Sequence, residues 1–211
     1  MSALHQRMDT TTPLPRKKYQ IIYADPPWDS NSQFGRDKEK GNEQHYPLMP
    51  LDAIKQLPID SIADENCVLL LWVVDTQIFD AKEVIEAWGF TYKTVAFTWA
   101  KETATWKDHF GPGMWTRKNP EMCLLATKGH PKRQDQSIRQ LQRYEVREHS
   151  RKPDEFREEI VRLCGDVPRI ELFARQVTPG WDGWGNEVGE DLPVVPSKPL
   201  PLFEACGATN D

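Results

Sequence analysis

Apolar runs separated by turn residues divide the chain into short buried segments. Residues 19–24 (YQIIYA) form one such run, which ends abruptly at Asp-Pro-Pro. Residues 67–74 (CVLLLWVV) form a second run that is apolar at every position. A strand without polar alternation is typically covered on both faces of its sheet. We therefore expect a first strand over 19–24 and a central strand over 67–74.

The rest of the pattern alternates between strands and helices. Further strands are expected over residues 92–99, 121–127 and 169–174. Helices are expected over residues 51–57, from a cap at Asp75 or Thr76 to Gly89, and from Pro153 to Gly165, because proline favours a first helical turn and glycine a helix end. This alternation predicts an α/β fold with helices on both faces of the sheet.

Both ends of the chain lack such a pattern. Residues 1–15 are polar and aperiodic, and residues 190–211 are rich in proline, so we expect two disordered tails. Residues 16–189 are expected to form one domain. The segments 28–47 and 101–119 are long for connections within a compact domain, which indicates functional loops.

Composition narrows the class of protein. The chain is 38% hydrophobic and 28% charged, as in an ordinary water-soluble globular protein, and no apolar run is long enough to span a bilayer. Its N-terminus has no signal-peptide pattern. The four cysteines are far apart, which favours a reducing cytoplasm and no metal site.

Charge is distributed unevenly along the chain. The formal net charge is −5, yet residues 128–152 carry eight Lys and Arg side chains against three acids. Such a segment is a candidate nucleic-acid footprint. A solvated loop is the alternative, and composition does not separate the two.

The tetrapeptide Asp25-Pro26-Pro27-Trp28 follows the first strand, at the kind of strand end where open α/β sheets bind ligands. An Asp25 carboxylate and a Pro26 carbonyl could accept the two N–H bonds of an exocyclic adenine amine, which would make its nitrogen a better nucleophile. Pro27 would keep the turn rigid, and Trp28 would offer a flat face for a base. The alternative is a turn that merely ends a strand.

With this motif the chain resembles the MT-A70 family of adenine N6-methyltransferases, whose mark is D-P-P-W. The resemblance covers roughly residues 19–188. Further matching stretches lie, in family order, at residues 115–121, 123–129, 149–155, 169–175 and 180–187. Their shared order makes a chance match negligible.

The resemblance implies a Rossmann-like methyltransferase fold with a mostly parallel sheet, and S-adenosylmethionine as the cofactor. It implies that Asp25 also contacts the methionine end of that cofactor. The further cofactor-binding residues that it implies are Lys128, Phe173, Arg175, Asn186 and Glu187. Glu187 stands where eukaryotic mRNA enzymes have glutamine. Phe173 alternates with Glu171 in a strand, so a core position is the alternative for its ring.

The acceptor base is expected to contact four side chains, which are Tyr46, Lys101, Trp115 and Glu121. Tyr46 and Glu121 match pocket positions of the family, whereas Trp115 has a core position as its alternative. Ser150 and Lys152 have a simpler interpretation, in which they cap and charge the helix that begins at Pro153.

The function expected from the resemblance is methyl transfer to the N6 amine of adenine in nucleic acid. We favour DNA, because this compact chain lacks the extensions of the eukaryotic mRNA enzymes. RNA is the alternative substrate, since both act as extruded or unpaired bases. A non-catalytic nucleic-acid-binding subunit and a methyltransferase for a protein amide or small molecule are the other hypotheses. A homodimer or a partner subunit stays open.

Overall fold

The computed structural model describes residues 13–29, 48–113, 115–147 and 151–185. The expected tails therefore lie outside the described residues, apart from 13–15. Within that short stretch Leu14 packs against the main hydrophobic core.

The described strands form one seven-stranded sheet in the order β5-β3-β4-β2-β1-β6-β7. Their bounds are β1 (Tyr19–Ala24), β2 (Ala63–Val73), β3 (Thr91–Glu102), β4 (Glu121–Lys128), β5 (Leu141–Glu145), β6 (Arg169–Leu172) and β7 (Asp182–Trp184). Only β4 among them is antiparallel to its neighbours, β2 and β3. The other pairings, β1 with β2 and β6, β3 with β5, and β6 with β7, are parallel. The prediction of a mostly parallel sheet is confirmed.

Helices cover both faces of this sheet. They are α1 (Leu51–Lys55), α2 (Ile78–Ala87) and α3 (Glu155–Cys164). Ile22 of β1 lies in one core cluster with side chains of α1 and α2. Its neighbour Ile21 points to the opposite face, where it packs in a second cluster with Phe156 and Ile160 of α3. Successive residues of a strand face opposite sides of the sheet, so the fully apolar β1 supplies both cores.

The predicted elements are present, with shifted ends. β2 begins at Ala63, four residues before the predicted start, and β3 continues to Glu102. The α2 helix has no side-chain cap and begins at Ile78, after a 3-10 turn over Asp75–Gln77 in which the Asp75 carboxylate accepts from the backbone N–H of Thr76 at 2.9 Å. Gly89 has φ = +81° just beyond the end of α2, which confirms its predicted role at the helix end.

Two strands were not predicted from the sequence. β5 and β7 are only five and three residues long and contain polar residues. They lie at the two outer edges of the sheet, so pairing with β3 and β6 rather than local pattern defines them.

Candidate active site at the carboxyl edge of the sheet

The direction of β4 decides which residues share an edge. The parallel strands end at one edge, here called the carboxyl edge, and the antiparallel β4 begins there. Asp25 follows β1, which lies between β2 and β6. Glu121 is the first residue of β4 and is paired with Trp99 of β3. The topology thus brings Asp25 and Glu121 to the same edge.

The Asp25-Pro26-Pro27-Trp28 turn is held at its far end by hydrogen bonds. The backbone N–H of Trp28 donates to the Pro26 carbonyl at 2.9 Å, and that of Met49 donates to the Pro27 carbonyl at 2.9 Å. The indole Nε1 of Trp28 donates to the Trp72 carbonyl, also at 2.9 Å. These contacts fix the direction in which the chain leaves β1.

The structure corrects the role expected for Trp28. Its side chain is only 7% exposed and packs in the core with Met49. A ring buried in this way stabilises the turn and does not offer an open face on which a base could stack. The correction arises because β2 and the segment after the 28–47 loop close over the indole, a tertiary contact that local sequence does not show.

Four charged side chains form the centre of the site. Lys152 Nζ lies 2.8 Å from Asp25 Oδ2 and 3.1 Å from Glu121 Oε2. Lys101 Nζ contacts the other oxygen of Glu121. The chain Asp25–Lys152–Glu121–Lys101 alternates in sign and carries no net charge when all four groups are ionised.

Burial makes these pairs strong. The side chains of Lys152 and Glu121 are 9% and 19% exposed. Desolvation alone would raise the pKa of Glu121, but Lys152 and Lys101 outweigh it and lower that pKa to about 2. Desolvation likewise opposes the charge on Lys152, yet Asp25 and Glu121 hold its pKa above the ordinary lysine value. Both groups are therefore charged throughout the neutral pH range.

Aromatic rings lie beneath the two lysines. Lys152 Nζ lies 5.2 Å from the ring centroid of Trp72, and Lys101 Nζ lies 5.0 Å from that of Trp99. The Trp72 indole donates to the Tyr23 hydroxyl at 2.7 Å, so its polar atom is also satisfied in the core. These rings attract the ammonium groups and restrict where they sit.

The start of α3 is fixed by a buried ion pair. Arg157 donates to both oxygens of Glu171 in β6 at 2.7 Å and also contacts Asp154 at 2.6 Å. Asp154 and Arg157 flank the turn that directly follows Lys152. This network ties α3 to β6 and so holds Lys152 beside Asp25.

Lys152 is the site residue that sequence reasoning missed. The expectation that it only caps and charges α3 is replaced by its contacts with Asp25 and Glu121. A signal was present, because Lys152 lies in one of the stretches shared with the family, residues 149–155.

Lys128 lies at the opposite edge. Because β4 is antiparallel, its last residue pairs with Cys67 near the beginning of β2 rather than reaching the carboxyl edge. The Lys128 ammonium forms an ion pair with Asp60. The structure therefore does not bring Lys128 to Asp25, and the lysine that contacts Asp25 is Lys152.

The turn after β6 has an unusual backbone. Phe173 has φ = +60°, a conformation rare for a bulky residue, and its ring packs against Trp184 at 5.7 Å in the core. The β7 end reaches this turn, since Ala174 N–H donates to the Trp184 carbonyl at 3.0 Å. A Cβ on Gly185 would lie 2.4 Å from the Ala174 carbonyl oxygen, so only glycine permits this approach. Arg175 follows directly at the same edge.

The remaining predicted residues are dispersed. Tyr46, Asn186 and Glu187 lie outside the described residues. Trp115 is 97% exposed on the β3–β4 loop and is therefore not a core residue. Lys101 and Glu121 are the acceptor-side predictions that the structure brings to Asp25.

The basic segment 128–152 does not form one surface. Lys128 lies at the edge opposite Asp25, here called the amino edge, whereas the start of β5 pairs with Thr98 of β3, close to the carboxyl edge. Five of its eight cations form ion pairs with acidic side chains: Lys128, Arg143, Arg147, Arg151 and Lys152. Most cations of the segment are thus engaged in ion pairs within the fold.

No helix in the described part of the chain is long and apolar enough to cross a membrane. No group of three or more His, Cys, Asp or Glu side chains among these described residues is arranged to hold a metal ion.

Comparison with known proteins places this site in a family. The family model MT-A70 matches residues 19–187. The type II methyltransferase M.MunI from Mycoplasma sp is 34% identical over 202 residues, which span 88% of this chain and 84% of that protein. The human N(6)-adenosine-methyltransferase catalytic subunit METTL3 is 30% identical over 81% of this chain but only 28% of its own length. A Medicago truncatula protein named as a putative MT-A70-like N(6)-adenosine-methyltransferase is also 30% identical, over 26% of its length. The chain belongs to the MT-A70 family of methyltransferases.

Proposed function

We propose that this chain transfers a methyl group from S-adenosylmethionine to the N6 amine of adenine in DNA. The observation that carries the proposal is the Asp25 carboxylate at the end of the central strand β1, held by Lys152 and 28% exposed to solvent. Family membership supports the chemistry, and the carboxyl edge is where sheets of this kind bind ligands.

Asp25 and Pro26 can act together on an adenine amine. A carboxylate has about four lone-pair sites, so Asp25 can accept from Lys152 and from one N6–H at once. The Pro26 carbonyl accepts from Trp28 and has a second lone pair for the other N6–H. Two acceptors draw the N6 lone pair out of the ring, which makes the nitrogen nucleophilic.

The transfer then needs position more than a strong base. The cofactor supplies a methyl group activated by a sulfonium, and the N6 lone pair forms the new C–N bond as the C–S electrons return to sulfur. The proton that leaves the methylated nitrogen can pass to the Asp25 carboxylate. Lys152 holds that carboxylate in position, so electrostatic preorganisation supplies the catalysis.

The residues at this edge fit S-adenosylmethionine. Its ammonium and carboxylate are complementary to Asp25 and Lys152, which already form an opposite-charge pair. The strained Phe173 backbone and the close Gly185 approach shape a turn beside the strand end, as residues with rare backbone conformations do at ligand sites. We assign Arg175, together with Asn186 and Glu187, to the adenosine half of the cofactor. The Phe173 ring serves packing.

Replacement of Arg175 tests that assignment. We expect Arg175→Ala to weaken S-adenosylmethionine binding about tenfold or more, because a hydrogen bond from a charged donor is lost. Isothermal titration calorimetry measures the effect. The control is Arg139→Ala, which removes an exposed arginine just before β5, at the outer edge of the sheet far from β6. This variant should bind as wild type does. Equal affinities of both variants for S-adenosylmethionine would show that Arg175 does not bind the cofactor.

DNA is proposed over RNA because the Mycoplasma relative named as a type II methyltransferase matches along almost its whole length. The described cysteines are free thiols, which suits a reducing compartment such as the cytoplasm. The test is transfer of a tritiated methyl group to unmethylated genomic DNA and to total RNA stripped of methylated adenine, in separate reactions. We expect incorporation into DNA to exceed that into RNA. The reverse order would assign the chain to RNA.

A further inference from the structure

The loop between β3 and β4 is built as a rigid projection at the carboxyl edge. The Asn119 side-chain amide donates to the Lys101 carbonyl at 2.9 Å and to the His109 carbonyl at 2.7 Å. Gly111 and Lys118 exchange two backbone hydrogen bonds of 2.7 and 3.1 Å, which makes the outer part a hairpin. The loop is thus fixed at its base and along its arms.

Large aromatic rings point outward from this fixed loop. Trp115, Trp106 and Phe110 are 97%, 77% and 49% exposed. A Cβ on Gly113 would lie 1.9 Å from the Thr116 carbonyl oxygen, so the hairpin tip turns tightly around Trp115. Trp106 has φ = +57°, a strained conformation for a tryptophan. Such strain and exposure together mark a surface that meets a partner.

The charge on the loop identifies the kind of partner. Residues 103–119 contain Lys107, Arg117 and Lys118 but a single acid, Asp108. Asp108 lies 3.3 Å from Arg143, and Lys118 forms an ion pair with Asp75. Both partners lie outside the loop and offset these two charges, so Lys107 and Arg117 carry its net positive charge. The Arg117 guanidinium stacks over Phe110 at 5.9 Å. The loop is net positive in a chain of net charge −5, and its exposed rings are separate rather than joined in one apolar patch. These features favour a nucleic acid, which offers bases and phosphates, over a protein partner with a contiguous apolar interface.

We propose that this loop binds the nucleic-acid substrate, and that Trp115 and Trp106 stack on bases near the adenine that enters the site. The inference rests on the proposed function, because the loop leads directly from Lys101 to Glu121 at Asp25. Extrusion of a target base leaves its neighbours unstacked, and an indole ring replaces the lost stacking. The cations of the loop meet the phosphates on either side.

The test uses the full chain and unmethylated genomic DNA, which contains every short sequence. Trp115→Ala and Trp106→Ala should each raise KM for DNA by about fivefold to a hundredfold, as expected for one lost stacked base, and the double variant should raise it further. Affinity for S-adenosylmethionine should not change. Trp115→Phe should recover much of the loss, because it keeps a stacking ring.

Two control variants separate this loop from general effects. Tyr92→Ala removes a 44% exposed ring near the start of β3, at the opposite edge. The triple variant Lys132→Glu, Arg133→Glu, Arg139→Glu reverses exposed basic residues of the segment 128–152. Both should leave KM for DNA near the wild-type value. A large effect of the triple variant with none from the tryptophans would move the footprint to that segment and overturn the proposal.

Two further results would also overturn it. One is a double tryptophan variant that is active and has the same KM for DNA as the wild-type enzyme. The other is a wild-type dimer in sedimentation equilibrium that the tryptophan variants dissociate, which would make the loop a contact between copies of this chain. If wild-type protein transfers no methyl group to DNA or RNA, the proposed function fails instead. Filter binding of the same DNA to the same variants then still measures the contribution of the loop to DNA affinity.

Discussion

Asp25→Asn should lower the rate of methyl transfer by roughly 10²–10³ while the domain stays folded. The amide keeps the shape of the carboxylate but loses the charge that attracts the N6–H, and one preorganised partner contributes about that factor. Single-turnover transfer at saturating cofactor measures the effect, because it isolates the chemical step from product release.

A matched variant controls for charge removal. Glu158→Gln makes the same carboxylate-to-amide change on the exposed side of α3 and should keep the wild-type rate. Thermal melting of both variants checks folding. An Asp25→Asn rate above about a tenth of wild type would refute the role given to Asp25.

Lys152→Met should lower the free energy of unfolding of the domain and also stop methyl transfer. The change leaves Asp25 and Glu121 without the shared cation that lies 2.8 and 3.1 Å from them. Removing one partner of a buried ion pair typically costs about 3–5 kcal/mol. Urea denaturation gives the free energy of unfolding, and the same protein is assayed for transfer.

Two comparisons make that result specific. Lys82→Met removes the lysine of an exposed pair with Glu86, both about 60% exposed, and should change the stability very little. The double variant Lys152→Met, Asp25→Asn should recover part of the stability, because the carboxylate that lost its cation is also gone, but not the activity. Wild-type stability in Lys152→Met would contradict the proposed central position of this lysine.

The buried strands were the part of the fold that the sequence could predict. β1 and β2 are apolar at nearly every position of the predicted runs, and such runs specify a covered strand whatever surrounds them. β5 and β7 were missed because short polar edge strands depend on partners far away in the chain. Strand direction was also beyond local pattern, so the sequence did not show that Lys128 lies at the edge opposite Asp25.

The site residues show the same difference between what local sequence predicts and what distant packing decides. Asp25 was predicted because a strand end followed by a motif can be recognised locally. Lys101 and Glu121 were expected on the acceptor side, Glu121 from the family resemblance. Trp28 and Lys152 were misjudged, since burial of the indole and the reach of the lysine across to β1 are set by packing of β2 and α3. The ion pair between Arg157 and Glu171 joins residues 14 apart on different elements, and no spacing rule would have revealed it.

The most direct test of the central claim is the identity of the methylated nucleoside. Unmethylated genomic DNA is incubated with wild-type protein and isotopically labelled S-adenosylmethionine, digested to nucleosides and analysed by mass spectrometry, with Asp25→Asn in parallel. We predict label in N6-methyldeoxyadenosine with wild type and almost none with the variant. Label in a methylated cytosine, or equal label in N6-methyldeoxyadenosine from both proteins, would contradict an adenine-specific site centred on Asp25.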